Sequence, residues 1–123
     1  MTDTTTALTA LHDALTAGRH GDDLRELFTP DATTTEHPNA LNPRGRTSTL
    51  AEMLAASEAG AGLLAWQRYD AHTLIAHGTT VVARLTWTGE VARDAGPFRE
   101  GQRLTAHIAQ FAEVEGGRIR SIE

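Results

Sequence analysis

The sequence predicts an α+β fold in which helices pack on one face of an antiparallel sheet. In the first half of the chain, apolar residues recur every three or four positions, which is typical of helices. From about Ala65 onward, apolar and polar residues alternate, as they do in strands. Helices followed by a run of strands joined through short turns indicate a two-layer architecture. The 123 residues fit one domain that spans 1–123.

Two helices are predicted before the first strand. Leucines and alanines over residues 7–15 give the first helix an apolar stripe, and Gly18 ends it. Asp22 is expected to cap a second, short helix, which Pro30 ends. Since both helices carry apolar residues at helical spacing, each is expected to cover the sheet.

A strand and a third helix follow. Thr33–Thr35 are β-branched and favour extended backbone, and Pro38 ends the strand because it cannot donate to a sheet ladder. Asn39–Gly45 is rich in turn-forming residues and is expected to be a loop. Thr49 followed by Glu52 has the spacing of a capping box, which predicts the start of the third helix.

Four strands are predicted in the second half of the chain. They are Ala65–His77, Thr79–Val91, Gln102–Glu115 and a last strand from Arg118 onward. The connections are a short hairpin at Gly78, a longer turn at Ala92–Gly101 and a tight turn at Gly116 and Gly117. The chain stops at Glu123 within the last strand, which leaves open whether that strand is complete.

The turns predict which residues face the helices. Closing the first hairpin at Gly78 pairs Tyr69 with Trp87, and closing the second near Gly96 pairs Trp87 with Thr105. The inner face then carries Tyr69, Ala71, Thr73, Ile75, Val81, Ala83, Leu85, Trp87, Thr105, His107, Ala109 and Phe111. The outer face carries Trp66, Arg68, Asp70, His72, Val82, Arg84, Thr86, Thr88, Glu90 and Gln110. Because several polar groups share the inner face with aliphatic residues, the pattern favours a pocket over a filled core.

The segment Glu36-His37-Pro38 carries the most informative chemical signal. It places a carboxylate beside an imidazole at a strand end, where a proton-transfer group can be held at a cavity mouth. We expect His37 to act as a general base, with Glu36 orienting it, and His107 and Tyr69 to hydrogen-bond a developing oxyanion. Both histidines can instead have structural roles. His37 would then be a turn histidine, and His107 would be a core histidine bonded to Tyr69 or a threonine.

The composition excludes several functions. A net charge of −5 without a basic cluster argues against nucleic-acid binding, and the absence of cysteine excludes disulfides and thiolate catalysis. No apolar run approaches membrane-spanning length and no secretory signal is visible, so the expected location is the cytoplasm. The six histidines lack metal-ligand spacing and no glycine-rich phosphate loop is present, so no metal or cofactor is expected.

Several segments together resemble the nuclear transport factor 2-like superfamily and, within it, the SnoaL-like (polyketide cyclase-like) group. They are Leu27–Ala32, Glu36–Pro38, Trp87–Gly89 and Phe111–Ile119. The resemblance covers nearly the whole chain. It implies a cone-shaped, cystatin-like roll, in which three N-terminal helices close a curved sheet around a conical cavity. It also implies a homodimer formed through the outer sheet face.

The resemblance also carries expectations for the site. In the ketosteroid isomerase branch the first strand ends in an acid-Asp-Pro pattern whose Asp shuttles a proton, and His37 stands at that position here. The second acid of that branch has no match, because Ala106–Gln110 contains no Asp. The cavity is expected to bind a small apolar molecule through Tyr69, Trp87, Thr73, Thr105, Phe28, Met53 and Phe111.

Two classes of function follow. The first is an enzyme that isomerises, cyclises or hydrates an apolar carbonyl or polyketide-like compound without a cofactor. The second is a non-catalytic module of the same fold that binds a small ligand or forms dimers. A thermal-shift ligand screen followed by a turnover assay separates them, because binding without product favours the second class.

Overall fold

The computed structural model describes residues 4–40 and 42–123, which form three helical segments and one six-stranded sheet. The elements are helix α1 (Thr4–Thr16), a 3₁₀ helix (Gly21–Leu27), β1 (Phe28–Glu36), β2 (Arg46–Thr49), α2 (Leu50–Gly60), β3 (Leu64–His77), β4 (Thr80–Val91), β5 (Arg103–Glu115) and β6 (Arg118–Ile122). The α+β class is confirmed. The helices do not all precede the sheet, because β1 and β2 come before α2, and β2 has no counterpart in the prediction.

The sheet has the strand order β2-β1-β6-β5-β4-β3. Neighbouring strands are antiparallel except β1 and β6, which are parallel. Helix α1 lies across β3, β4, β5 and β6, and α2 packs on β1 and the 3₁₀ helix. The longest helix has 13 residues, and none in the described ranges is long and apolar enough to cross a membrane.

The first helix ends as predicted, whereas the second differs from its prediction. Gly18 has a φ of 87°, a conformation that favours glycine, and terminates α1. The second helical segment is a 3₁₀ helix, with His20 and not Asp22 as its N-cap residue. Pro30 lies inside β1, within the segment where the β1–β6 register shifts, and there a missing N–H donor disturbs no regular ladder.

The capping box at the start of α2 is confirmed. Thr49 Oγ1 accepts a hydrogen bond from the Glu52 backbone N–H at 3.2 Å, and the Thr49 N–H donates to Glu52 Oε1 at 3.0 Å. The bond from the Thr49 backbone lowers the pKa of the Glu52 carboxyl below its usual value. Two backbone groups that would otherwise lack partners are thereby satisfied.

The β3–β4 pairing follows the prediction near Tyr69 and departs from it towards the hairpin. Tyr69 pairs with Trp87, as expected. The turn holds two residues, Gly78 and Thr79, and a bulge over Ala71–Thr73 compensates for the one-residue difference. Alternation of faces is broken at that bulge, which the sequence pattern does not reveal.

Beyond the bulge, the predicted faces are wrong. Thr73 pairs with Arg84 and Ile75 pairs with Val82, so both lie on the outer face and not the inner one. The exposed fraction of Ile75 is 57%.

The predicted β4–β5 register is wrong by one residue. Leu85 pairs with Ile108 and not with His107, because the turn is centred between Gly96 and Pro97 rather than on Gly96. A slip of one residue moves every side chain of a strand to the other face. The outer face therefore carries four residues that were expected inside: Thr105, His107, Ala109 and Phe111.

Candidate functional site

The interior is filled under the middle of α1 and hollow at one end. Leu8, Leu85 and Ile119 are almost fully buried and fill the middle. A partly open cavity of about 460 Å³ lies where α1 ends, α2 ends and β3 begins. Its lining residues are Leu15–His20, Ser57, Gly60–Gly62, Leu64–Gln67 and Tyr69.

Tyr69 is the one tyrosine among the residues that line this cavity. Its ring is stacked on that of His12, with 5.2 Å between ring centroids and 14° between planes. Burial raises the pKa of the Tyr69 phenol to about 12. Among the described residues, no hydrogen bond to this hydroxyl is formed, so it is a protonated donor that a ligand can use.

His12 is a buried polar residue that the sequence pattern did not single out. It is 5% exposed, and its Nε2 lies 2.8 Å from Gln110 Oε1. Gln110, expected on the outer face, points inward because of the β5 register. A carboxamide oxygen only accepts, so His12 Nε2 donates this bond. The pair satisfies two buried polar groups and holds the face on which Tyr69 stacks.

Hydrogen bonds connect Trp87 and Gln67 to the end of α1 beside the cavity. Trp87 Nε1 donates to Gln67 Oε1 at 2.9 Å, and Gln67 Nε2 donates to the Leu15 carbonyl at 3.3 Å. The indole ring lies over Gly89, where a Cβ atom would come within 2.8 Å of it. The predicted inward direction of Trp87 is therefore correct, and its N–H is already bonded within the protein.

A carboxylate–imidazole pair lies at the rim of the cavity. His20 lines the cavity, and its Nδ1 is 2.7 Å from Glu58 Oε2 on α2. Gly21 allows this approach, since a Cβ atom there would lie 2.2 Å from Glu58 Oε2. The Gly21 N–H also donates to Ser57 Oγ at 3.1 Å. No sequence signal identifies this pair, because 38 positions separate its members.

The predicted pair at the end of β1 lies apart from this cavity. His37 Nε2 is 2.9 Å from Glu123 Oε2, and the His37 side chain is 67% exposed. Glu36 accepts hydrogen bonds from Asn39 and Asn42 in the following loop. Neither residue lines the cavity that contains Tyr69. Their catalytic roles stay predictions, because the structure does not place Glu36 and His37 beside Tyr69.

The other predicted site residues are divided between the core and the outer face. His107 is exposed and its Nδ1 lies 3.3 Å from Thr86 Oγ1, so it is neither in the core nor beside Tyr69. Thr73, Thr105 and Phe111 also lie on the outer face. Phe28 is buried in the core, and Met53 packs against it. In the described ranges, no three histidine or acidic side chains are grouped as a metal would require.

A second cleft, of about 530 Å³, lies between the 3₁₀ helix, β1 and the start of α2. Its charged residues largely neutralise one another: Arg19 pairs with Glu26 at 3.0 Å, and Arg25 pairs with Asp22 at 2.6 Å. The cleft also lacks the inward-facing polar residues of the sheet. The smaller cavity, which combines an unbonded phenol with an oriented imidazole, is the better candidate site.

Comparisons with known proteins agree on one fold. A family model described as a SnoaL-like domain matches residues 8–122. No curated protein matches the chain. Among solved structures, the chain is similar to IdmH, a putative polyketide cyclase from Streptomyces antibioticus, with a TM-score of 0.79, 20% identity and coverage of 98% of this chain and 89% of that one.

Two further structures extend the comparison. An LEH-like epoxide hydrolase of M. tuberculosis gives a TM-score of 0.72 at 17% identity, covering 97% of this chain and 78% of that one. A protein of unknown function with a cystatin-like fold from Xanthomonas campestris gives a TM-score of 0.68 at 18% identity, covering 99% of this chain and 88% of that one. At such identities these likenesses establish the fold alone.

Proposed function

The chain belongs to the SnoaL-like domain family of the nuclear transport factor 2-like superfamily, and we propose that it is a small-molecule enzyme. The proposed reaction is acid–base isomerisation, cyclisation or hydration of a mostly apolar carbonyl or polyketide-like compound. The proposed site is the cavity between α1, α2 and β3. Relatives of this fold described as a putative polyketide cyclase and an epoxide hydrolase support a small-molecule reaction.

One observation carries this proposal: an imidazole and a phenol with complementary roles line the same cavity. A carboxylate oxygen only accepts, so His20 Nδ1 donates to Glu58, and Nε2 of the neutral ring keeps its lone pair. His20 is thus equipped to accept a proton. Tyr69, whose pKa is raised to about 12, is equipped to donate a hydrogen bond.

The chemistry follows from these two roles. His20 Nε2 takes a proton from the carbon next to a substrate carbonyl, and the Tyr69 hydroxyl donates a hydrogen bond to the carbonyl oxygen as negative charge develops there. Return of the proton to a different carbon completes an isomerisation, with no net oxidation or reduction. Leu15 and Leu64 in the lining suit a mostly apolar substrate body.

The test starts from a thermal-shift screen of small carbonyl compounds against the full chain, followed by turnover assays on each hit. Tyr69→Phe and Glu58→Gln are each expected to lower kcat/KM by about 100-fold or more, since each removes a transition-state interaction. His77→Gln, which changes an exposed histidine at the hairpin end, is the matched control and keeps wild-type turnover.

The variant His37→Gln separates this site from the pair predicted at the end of β1. If it abolishes turnover while Tyr69→Phe and Glu58→Gln do not, the reaction belongs to Glu36 and His37 and the proposed site is wrong. Ligands that bind in the cavity without any product would instead favour the non-catalytic binding module.

We also propose that the chain forms a homodimer through the outer sheet face. Ile75, Val82 and Phe111 pair across β3, β4 and β5 there, and Ile75 and Phe111 are 57% and 52% exposed. A contiguous apolar row on an exposed sheet face supports self-association. Sedimentation velocity tests this: Ile75→Thr combined with Phe111→Thr is expected to weaken the dimer at least about tenfold, given the area lost. An unchanged dimer would place the interface elsewhere.

A further inference from the structure

A hydrogen-bonded row crosses the middle of the outer sheet face, and the proposed chemistry does not use it. The row, called the central row here, consists of His72 on β3, Thr86 on β4 and His107 on β5. His72 Nε2 lies 2.7 Å from Thr86 Oγ1, and His107 Nδ1 lies 3.3 Å from the same oxygen. Both imidazoles are exposed, so anything that covers this face meets them.

The hydroxyl at the centre of the row limits its protonation states. Thr86 Oγ1 carries one hydrogen and two lone pairs, so with neutral rings it either donates to one ring nitrogen and accepts from the other, or accepts from both. A first added proton can be accommodated by reversing the direction of one bond. A second proton puts two cations on one hydroxyl, with ring nitrogens at most about 6 Å apart. Histidine takes up protons between about pH 5 and 8.

The charges around the row do not compensate for such protonation. On β3, Arg68 and Asp70 pair with each other at 3.1 Å. Glu90 on β4 and Arg103 on β5 form a second pair at 3.7 Å. Arg84 on β4 has no ion-pair partner among residues 4–40 and 42–123, and it adds an uncompensated positive charge.

His77 and Glu113 lie farther out, at the hairpin end, where Glu113 accepts hydrogen bonds from Thr79 and Thr80. The central part of the face therefore carries about one net positive charge with neutral imidazoles and about three with both protonated. The rest of the chain carries the opposite sign, since its net charge is −5. Because the face itself is nearly balanced when the imidazoles are neutral, a second copy can cover it without strong repulsion.

We propose that the central row makes self-association through the outer face depend on protons, with a second copy of this chain binding while the imidazoles are neutral and leaving as they become charged. This inference rests on the proposed homodimer. In a two-fold interface the same patch occurs on both subunits, so protonation doubles the added charge within one buried contact. Removing a charge from water without a partner costs free energy. Association therefore favours the neutral imidazoles of His72 and His107, and the protons that they carried are released.

The test is sedimentation of the full chain at about pH 8 and about pH 5.5, at one ionic strength. We expect the dimer Kd to be at least tenfold higher at the lower pH, since the monomer binds more protons. His72→Gln combined with His107→Gln is expected to remove this difference. His20→Gln, a histidine change on the helix side of the molecule, is the control and is expected to retain it.

A second variant keeps the test decisive if acid affects folding. His72→Arg combined with His107→Arg fixes the charges, and at about pH 8 it is expected to be monomeric while its circular dichroism matches that of the wild type. Equal dimer affinity at both pH values, or a dimer in the arginine variant, overturns the proton dependence and leaves the homodimer standing. A monomer at every pH overturns both. None of these results bears on the cavity, which ligand binding tests separately.

Discussion

Burial gives Tyr69 a particular role in the candidate site. Tyr69 lines the cavity, its ring stacks on the imidazole of His12, and burial raises its pKa to about 12. A phenol that stays protonated is a hydrogen-bond donor at any physiological pH, and it does not compete with an imidazole for the role of base. The donor role proposed for Tyr69 rests on this environment, as the acceptor role proposed for His20 rests on its bond to Glu58.

Titration of the single tyrosine gives the first prediction. Tyr69 is the only tyrosine of the chain, so absorbance of phenolate reports it alone. We expect half-ionisation near pH 12 in the folded protein and near 10 in denaturant. Because the folded-state pKa is the higher one, Tyr69 contributes stability below about pH 10 and loses it as the pH rises towards 12. Ionisation near 10 in the folded protein would show that the phenol is open to water.

Gly89 gives the second prediction. The Trp87 indole occupies the space where a side chain would begin, with its ring carbon 2.8 Å from an added Cβ. Gly89→Ala is expected to destabilise the protein by about 1–3 kcal/mol, as overpacking does, in urea denaturation. Gly60→Ala at the end of α2, where nothing lies within 4 Å, is the control and should be neutral or slightly stabilising. Equal stabilities would mean that the indole moves away freely.

Among the elements, α2 shows how local sequence fixes a boundary that the site needs. Its start is set by Thr49 and Glu52, whose side chains satisfy backbone groups in both directions. Its other end brings Ser57 and Glu58 to the rim of the cavity, where they bond Gly21 and His20. The capping box and the Glu58–His20 pair lie at opposite ends of α2. A substitution in the first turn therefore affects the position of His20 only if the whole helix moves.

Loss of the cap gives the third prediction. Thr49→Ala is expected to lower the free energy of unfolding by about 1 kcal/mol, the usual effect of removing an N-cap hydroxyl. The hydrogen bonds that lower the Glu52 pKa add an acid dependence, because stability held above the unfolded pKa is lost as the pH falls through the folded one. Urea denaturation between about pH 3 and 6 should show a flatter profile for Glu52→Gln than for the wild type.

The sequence predicts elements well and faces only in part, and one turn and one helix contact show why. Periodicity and the capping box are local, so α1, α2 and the four strands of the second half could be placed within a few residues. The face of β5 depends on whether the turn before it is centred on Gly96 or between Gly96 and Pro97, because this small shift of the centre moves the register by one residue. The pairing of His20 with Glu58 depends on how two helices pack, which no local pattern encodes.

At the scale of the whole molecule, one sheet separates two kinds of surface. Its inner side is filled beneath the middle of α1, and a partly open cavity lies at the end of the sheet that carries Tyr69. Its outer side combines the exposed pair Ile75 and Phe111 with the central row. The proposed ligand chemistry and the proposed self-association therefore use opposite faces, and substitutions can address them one at a time.

The last prediction tests this division of faces directly. Leu85 is 1% exposed on the inner face, and Leu85→Ala is expected to lower the free energy of unfolding by about 2–5 kcal/mol. Ile75 was expected inside by sequence but lies outside, so Ile75→Ala should cost less than about 1 kcal/mol when urea denaturation is measured on the monomer. Comparable losses of unfolding free energy for both substitutions would mean that Ile75 faces the core. The bulge over Ala71–Thr73 would then be absent, and inward and outward residues would alternate along the whole of β3.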